Sequence, residues 1–510
     1  MKKIFISTLT LALLSVTSCK TDFDQDVQDI AVTNGDADFS KYISLGNSLT
    51  AGYRDGALYI DGQNESYPSM IAGQMKLAGG GDFIQPMMAD NNGGLLLNGN
   101  PILGTKLYIE SFANGAPVLK NVAAAPTTDI ANKITGPLNN FGVPGAKSYH
   151  LVASGYGNIA GVPIGAANPY YVRFSSSATS TVIGDAADQQ PTFFSLWIGN
   201  NDVLGYATSG GSGINQTGNF DPTTYGSNDI SDPNVVAGSI KGMLDILTAN
   251  NAKGVIANIP DVTSIPFFTT VPYNAIPMDD ATAQALNTGI YGPLKAALTF
   301  FGQGDRINLV SAGNNPVLIV DNELTDLSAQ LTAALMQNGY PQDQATFIGN
   351  AFGQARQAEE GELILLTASG ILGLDAITNQ PPTPTSQFIY GASFPIGDQY
   401  SLTSDEVDNI ATAVASYNSA IAGLAVEYEL AFVDANKKMV ELGGQSGIQW
   451  SGVTYTASFI TGGTFSLDGV HLTGRGYAII ANEFIKAINK TYRSNLPQVN
   501  PNAYSGVTFP

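Results

Sequence analysis

The sequence predicts an α/β fold in which a parallel sheet is covered by helices on both faces. Short apolar runs of the kind that form buried strands occur at residues 42–45, 192–198, 254–259 and 430–434, each followed by polar or Gly- and Pro-rich sequence. Amphipathic helical patterns lie between these runs. Strands that alternate with helices favour a parallel sheet, because each parallel connection needs a crossover.

The helices are indicated by their start signals and apolar faces. Asp232-Pro233 is typical of an N-cap and a first-turn proline, and an apolar face runs from Val236 to Leu247, with the helix ending near Gly254. Thr403 and Glu406 fit a capping box. A last helix is predicted after His471, with Ile480, Phe484 and Ile488 on one face.

The residues after position 38 are enough for one decorated domain or two, and residues 39–492 are interpreted as one domain with insertions. Three long stretches without a clear period, at about residues 55–134, 205–230 and 262–400, are predicted insertions, and the third contains one predicted helix around residues 324–335. Loops of this length usually form functional or interaction surfaces. Residues 493–510 are predicted to be an extended wrap or a disordered end.

The N-terminus is typical of an export signal. Lys2 and Lys3 precede an apolar stretch from about residue 4 to residue 16. This stretch is shorter than the roughly 20 residues that a bilayer-spanning helix needs, so residues 1–18 are interpreted as a signal peptide. Small residues before Cys19, the only cysteine, resemble a bacterial lipobox, in which the cysteine thiol is acylated with diacylglycerol and becomes residue one after cleavage. The alternative is an ordinary secretory signal with an incidental cysteine.

An acidic segment follows Cys19. Residues 20–38 contain six aspartates and one lysine and few bulky apolar groups. Such a segment buries too little surface to offset its chain entropy, so residues 19–38 are predicted to be a lipidated, flexible tether. Acidic residues in this position resemble the surface-export signal of Bacteroidetes-type lipoproteins, with a plain solvated linker as the alternative. The expected location is the outer membrane.

Composition excludes some classes of partner. The formal net charge of −20 argues against nucleic acid and anionic lipid headgroups, because both would be repelled. With 44% hydrophobic and 13% charged residues, the chain can form a substantial core.

The chemistry-bearing residues lie at the two ends of the domain. One of the chain's two histidines, His471, follows Asp468 by three positions. An imidazole can take a proton from a serine near neutral pH, and a nearby carboxylate can orient it. Ser48 follows the first strand-like run, with Gly46 and Gly52 on either side. These residues predict a serine ester hydrolase.

Four segments in order resemble the conserved blocks of the GDSL, or SGNH, hydrolase family. They are Gly46-Asn47-Ser48-Leu49, Asn140-Phe141-Gly142-Val143-Pro144-Gly145, Gly199-Asn200-Asn201-Asp202 and Asp468-Gly469-Val470-His471. The resemblance implies a flavodoxin-like α/β/α sandwich with the site at the carboxyl ends of the strands, where an open parallel sheet independently places a ligand.

The resemblance also implies a role for each site residue. Ser48 would be the nucleophile, His471 the general base and Asp468 its orienting partner. The oxyanion would be held by the backbone N–H groups of Ser48 and Gly145 and by the side-chain amide of Asn201. The implied activity is carboxylic ester hydrolysis through an acyl-enzyme.

Each of these residues also has a structural interpretation. Ser48 could be a helix N-cap, Asp468 and His471 a capped turn, Gly145 part of a tight turn, and Asn201 a turn residue or a cap. The other histidine, His150, has no acid at useful spacing and is predicted to be structural or a pocket wall. Trp197 lies in an apolar strand and is predicted to be core.

The sequence departs from the family pattern at Asn47, where an aspartate is expected; asparagine keeps the shape but loses the charge. The chain has no Gly-x-Ser-x-Gly elbow. No cofactor and no soft-ligand metal site are predicted, while a hard cation held by Asp-rich loops stays open. The predicted partners are an ester substrate, either an acylated glycan or a lipid, and the bilayer through acylated Cys19. The alternatives are a non-catalytic glycan- or lipid-binding lipoprotein and a glycoside hydrolase with two carboxylates.

Overall fold

The structure is a computed structural model that describes residues 31–113 and 116–510. The predicted signal peptide, Cys19 and the first part of the predicted tether lie outside these residues.

A five-stranded parallel sheet forms the centre of the molecule. Its strands in chain order are β1 (Tyr42–Gly46), β2 (Asn140–Gly142), β3 (Phe193–Trp197), β4 (Lys253–Ala257) and β5 (Ala431–Val433). The spatial order is β2-β1-β3-β4-β5. Four of these strands were predicted. The sequence analysis missed β2, since three residues in a Gly- and Asn-rich stretch are too few to show a period.

The described residues contain fifteen α-helices. In chain order they are α1 (Ser48–Ala51), α2 (Ile60–Asn64), α3 (Tyr67–Leu77), α4 (Pro169–Val172), α5 (Val182–Ala187), α6 (Asn201–Thr208), α7 (Pro233–Thr248), α8 (Pro266–Thr269), α9 (Asp280–Leu286), α10 (Gly292–Phe300), α11 (Ser328–Gln337), α12 (Gln342–Phe352), α13 (Ser404–Glu427), α14 (Ala435–Gly443) and α15 (Gly474–Tyr492). Within the same ranges, no helix has both the length and the apolar composition needed to cross a membrane.

Helices pack on both faces of the sheet, as predicted. Side chains alternate between the faces along each strand. Ile43, Leu45 and Leu196 belong to one core cluster, which they share with α5, α7 and α13. Tyr42 and Trp197 belong to a second cluster on the opposite face, with α3 and α15. The result is a mixed α/β architecture with one central sheet.

The predicted helix starts are confirmed. The side chain of Asp232 accepts hydrogen bonds from the backbone N–H groups of Asn234 and Val235, and Pro233 occupies the first turn of α7. Thr403 and Glu406 form the capping box of α13. Thr473 caps α15 through the N–H of Gly476 at 3.2 Å. Each cap satisfies N–H groups that have no partner inside the helix.

The predicted insertions contain more structure than expected. Region 262–400 holds α8 to α12, and residues of α10, α11 and α12 share a small core of their own around Tyr291 and Leu331. The helix predicted around residues 324–335 is α11, which begins later, at Ser328. The other helices, including α3 in region 55–134, were not predicted, because the apolar periodicity of this Gly- and Asn-rich sequence is weak.

The remaining strands form two-stranded antiparallel pairs. They are Leu95–Leu97 with Asn100–Leu103, Leu107–Ala113 with Ala116–Asn121, Ile276–Met278 with Gly313–Asn315, Leu318–Val320 with Ala355–Gln357, Leu363–Ile364 with Ser401–Leu402, and Ile448–Trp450 with Val453–Tyr455.

The two end segments of the described chain lie against each other. The backbone N–H of Asp36 donates to the carbonyl of Tyr492 at 2.7 Å, and its carboxylate pairs with Arg493. The end of the predicted tether therefore differs from a free linker, because residues 31–38 contact the domain. In the tail, Leu496 and Val499 are buried in the second core cluster, so this segment is the extended wrap rather than the disordered end.

Candidate active site

Three segments that follow neighbouring strands meet at one edge of the sheet. Gly46, the last residue of β1, is paired with Gly142 of β2 and with Trp197 of β3. Ser48, Gly145 and Asn201 follow these strands within a few residues. The carboxyl ends of parallel strands therefore bring the three predicted segments to the same edge, where open α/β sheets bind ligands.

The turn that presents Ser48 is built by its neighbours. The side chain of Asn47 caps α1, since its Oδ1 accepts from the N–H of Leu49 at 3.0 Å. A Cβ at Gly46 would lie 2.3 Å from the carbonyl oxygen of Trp197, so only glycine allows this approach. Ser48 is thus not the N-cap; Asn47 takes that position and leaves the Ser48 hydroxyl available.

A continuous hydrogen-bonded chain joins Ser48, His471 and Asp468. The Oγ of Ser48 lies 2.8 Å from Nε2 of His471, and Nδ1 of the same ring lies 2.8 Å from Oδ2 of Asp468. The side chains of His471 and Asp468 are 15% and 14% exposed, so the pair is largely shielded, and His471 lines the cavity beside Ser48. This is the geometry in which an imidazole can take a proton from a hydroxyl while a carboxylate holds its tautomer.

The carboxylate of Asp468 is held by several donors. Its Oδ1 accepts from the backbone N–H groups of Val470 at 3.0 Å and His471 at 2.8 Å. Burial raises the pKa of Asp468. The charge and hydrogen bonds of His471 and the N–H of Val470 together lower it by more, so the pKa lies well below its ordinary value. Asp468 is therefore ionised whenever the protein is near neutral pH.

The three candidate oxyanion donors differ in whether they line the cavity beside Ser48. Ser48 and Asn201 both line the cavity. One N–H of the Asn201 amide donates to the carbonyl of Ala146 at 2.9 Å, which leaves its second N–H for a ligand. Gly145 is exposed, with φ +80°, and is not among the residues lining that cavity. Within the described residues, no hydrogen bond joins Gly145 to Ser48 or to Asn201.

Asp202 links the second and third segments. Its fully buried carboxylate accepts from the backbone N–H of Ser148 at 2.7 Å and from the Ser148 hydroxyl at 2.9 Å. Burial raises the pKa of Asp202, against the opposing hydrogen bonds from Ser148. The loop that carries Gly145 is thus tied to the helix that carries Asn201.

His150 and Trp197 have structural environments. Nδ1 of His150 accepts from the backbone N–H of Lys147 at 3.1 Å, and its ring stacks on Tyr156 at 4.5 Å. Burial and the charge of Lys147 lower the pKa of His150 to about 4. Trp197 is 3% exposed in the core, and its indole N–H donates to the carbonyl of Asn258 at 3.0 Å. Trp197 also contributes to the cavity wall.

Sequence analysis missed the segment that supports the acid. The backbone N–H of Gly56 donates to Oδ2 of Asp468 at 2.9 Å. Asp55, which has φ +54°, accepts from the N–H of Leu467 and donates its own N–H to the hydroxyl of Ser466. The ring of Tyr53 lies 4.6 Å from that of His471. No local pattern marks these contacts, because they join residues about 400 positions apart.

A cavity opens beside Ser48 and His471. It encloses about 100 Å³ and is lined by residues that follow β1, β3 and β4 together with parts of α14 and α15. This volume is below the roughly 300–1,000 Å³ of a typical ligand pocket, so the cavity suits one part of a ligand rather than a whole molecule. That part can reach the hydroxyl of Ser48, which lines the cavity.

Comparison of the chain with protein-family models, with curated proteins and with solved structures finds no match. Across residues 31–113 and 116–510, the structure contains no group of three or more His, Cys, Asp or Glu side chains arranged to hold a metal ion.

Proposed function

We propose that the chain is a serine ester hydrolase of the GDSL, or SGNH, type that acts on carboxylic esters. The observation that carries this proposal is the chain of two 2.8 Å contacts from the Ser48 hydroxyl through His471 to Asp468. Such a series of contacts, beside a cavity that admits part of a ligand, is what nucleophilic attack by a serine requires.

The strand order supports the family assignment. The order β2-β1-β3-β4-β5 is that of flavodoxin-like sheets, in which the ligand site lies at the carboxyl ends of the strands. All four segments that resemble the family's blocks lie in or directly after β1, β2 and β3, or in the loop before α15. The asparagine at position 47 is compatible with this, since it caps α1 and its amide donates to Oδ1 of Asn200 at 3.2 Å.

The proposed mechanism has two steps. His471 takes the proton of the Ser48 hydroxyl as its oxygen attacks the ester carbonyl, and the resulting imidazolium is stabilised by ionised Asp468. The tetrahedral oxyanion is held by the Ser48 N–H, by the free N–H of the Asn201 amide and by the Gly145 N–H. The alcohol leaves with the proton from His471, and water then hydrolyses the acyl-enzyme by the same route. The oxyanion donors raise the rate because they bond more strongly as negative charge develops.

Gly145 needs a movement to take part. Its N–H belongs to an exposed turn outside the cavity wall in this structure. Catalytic hydrogen bonds are often long or incomplete before substrate binds, so the turn would close on the bound ester.

The proposed location is the bacterial outer membrane. Acylation of Cys19 would attach the domain to the bilayer, and residues 20–38 would connect the two. This proposal rests on the sequence of the first 38 residues.

The test is hydrolysis of an aryl ester series by the full-length protein in lipid nanodiscs, with empty nanodiscs as blank. Ser48→Ala and His471→Ala are each expected to lose several orders of magnitude in kcat/KM. The double variant should lose no more than the single ones, because both residues serve one proton transfer and one bond-forming step. A folded Ser48→Ala variant that hydrolyses the esters at the wild-type rate would sink the proposal. Wild-type protein that hydrolyses no ester faster than the blank would favour the non-catalytic binding protein.

A further inference from the structure

The wall of the cavity beside Ser48 is mainly hydrocarbon. Aliphatic side chains from several helices and loops line it, including Val262, Ile265, Met439, Leu442 and Ile479. Each of these five residues is less than 9% exposed, although it borders open space. The cavity therefore extends from the surface into the core at the carboxyl edge of the sheet.

The polar groups of the wall are concentrated among the catalytic candidates. Ser48 and His471 are joined by their 2.8 Å contact, and Asn47 and Asn200 by a hydrogen bond of 3.2 Å. Asn201 completes this group. The polar atoms thus surround the position of the ester group, whereas α14 contributes mainly hydrocarbon.

The two other polar side chains that line the cavity are already engaged. Lys438 Nζ lies 2.6 Å from Glu441 and 3.3 Å from Glu483, so its charge is paired. The hydroxyl of Thr464 donates to the carbonyl of Thr456 at 2.5 Å. A sugar ring needs several free donors and acceptors, because burying unpaired hydroxyls is costly. This wall does not offer them.

We propose that the cavity binds the acyl chain of the substrate, and that the preferred substrate is a lipid-type ester with a medium or long hydrocarbon acyl group rather than an acetylated glycan. The inference rests on the proposed hydrolase function and specifies its substrate class. Apolar chains bind favourably to such a cavity because water is released from both surfaces. Each methylene that becomes buried should raise kcat/KM by roughly fourfold.

The first experiment measures kcat/KM for p-nitrophenyl acetate, butyrate and octanoate with the full-length protein in nanodiscs. We expect a rise of at least tenfold from acetate to octanoate. If Ser48-dependent hydrolysis is present but acetate is cleaved as fast as octanoate, the acyl-chain inference fails and the proposed function stands.

A matched pair of variants on α14 tests the site itself. Met439 lines the cavity, and the adjacent Val440 is 66% exposed. Met439→Trp should fill the cavity and lower kcat/KM for octanoate at least tenfold more than kcat/KM for acetate. Val440→Trp should leave both esters unchanged. Equal losses for both esters in a folded Met439→Trp protein would overturn the inference. Should that variant not fold by circular dichroism, Ile448→Trp, at a half-buried lining position, replaces it.

A binding measurement separates the inference from the chemistry. N-methyldecanamide, an uncleaved mimic of a long-chain ester, is titrated calorimetrically into Ser48→Ala, with empty nanodiscs subtracted and N-methylacetamide as the short mimic. Saturable binding of the decanamide alone, weakened by the cavity-filling variant, supports the inference even if no ester is hydrolysed. Binding no tighter than that of the acetamide overturns it.

Discussion

The carboxylate of Asp468 accepts a backbone hydrogen bond from Gly56 at 2.9 Å, although the two residues are 412 positions apart. The same oxygen, Oδ2, contacts Nδ1 of His471. The start of the first insertion therefore helps to orient the acid that orients the base. Charge-assisted hydrogen bonds of this kind hold a carboxylate more firmly than neutral ones.

Asp468→Asn should lower kcat strongly while the protein stays folded. In either orientation, the amide NH₂ would face N–H donors, those of His471 Nδ1 and Gly56 on one side or of Val470 and His471 on the other. His471 is then no longer held in the required tautomer, and its cation is no longer stabilised. We therefore expect kcat to fall by roughly 10³- to 10⁴-fold. Steady-state kinetics measure kcat, and circular dichroism checks that the variant is folded. A folded variant within tenfold of wild type would remove Asp468 from the mechanism.

Asn201→Ala should affect kcat more than KM. One N–H of its amide is used by the Ala146 carbonyl, and the second is expected to bond the oxyanion more strongly than the ground-state ester carbonyl. The expected loss in kcat is roughly 10²- to 10³-fold, with a much smaller change in KM. Steady-state kinetics separate the two constants. A rise in KM with unchanged kcat would instead identify Asn201 as an ordinary binding residue.

The pH profile of kcat/KM should fall towards acid pH through a single ionisation, that of the general base. Activity requires neutral His471 and ionised Asp468, and the lowered pKa of Asp468 keeps that carboxylate charged above pH 5. Burial lowers the pKa of His150 to about 4, so the second histidine stays neutral there. The profile is measured from pH 5 to 9, with His150→Gln as the control that should keep its shape. A flat profile with chemistry rate-limiting would contradict His471 as the base.

Glu406 should make the protein less stable as pH rises. Burial, with a smaller contribution from nearby Asp398, raises its pKa from 4.5 to about 7 against the hydrogen bond from the Thr403 N–H. Because the folded-state pKa is the higher one, this residue's contribution is fully present below about pH 4.5 and is lost as pH rises through about 7.

Glu406→Gln keeps an acceptor for the cap but removes this titration. Its free energy of unfolding should exceed that of wild type at pH 8, by up to about 3 kcal/mol, and match it at pH 4.5. Glu427→Gln, at an exposed position of the same helix, is the control. Denaturant unfolding at both pH values measures the free-energy difference between variant and wild type. An equal difference at pH 4.5 and pH 8 would show that the titration of Glu406 does not affect stability.

Cys19→Ala should release the protein from the membrane or leave its signal uncleaved. The acyl chains on Cys19 are the proposed anchor, and the two chains of a diacylglycerol group give stable attachment. Palmitate labelling and detergent phase partitioning measure the effect. Labelling that persists in the variant would contradict the lipoprotein assignment.

Some of the site follows from short stretches of sequence. Asp468 and His471 are three positions apart, and the N–H of His471 bonds the aspartate side chain at 2.8 Å, so this spacing alone brings the two side chains together. The caps at Asp232 and Thr403 are equally local. Strands β1, β3, β4 and β5 were predictable because several consecutive apolar residues mark a strand that is buried on both faces.

Other features depended on tertiary structure. Strand β2 is only three residues long, and it exists because β1 offers it a paired edge. The contact of Gly56 with Asp468, the bond of Asp202 with Ser148 and the hydrocarbon cavity at Met439 all join distant segments. The physical reason is the range of the interactions. A cap or an apolar run is satisfied within a few residues, whereas a cavity and a long-range hydrogen bond depend on how whole elements pack, and no short pattern encodes that packing.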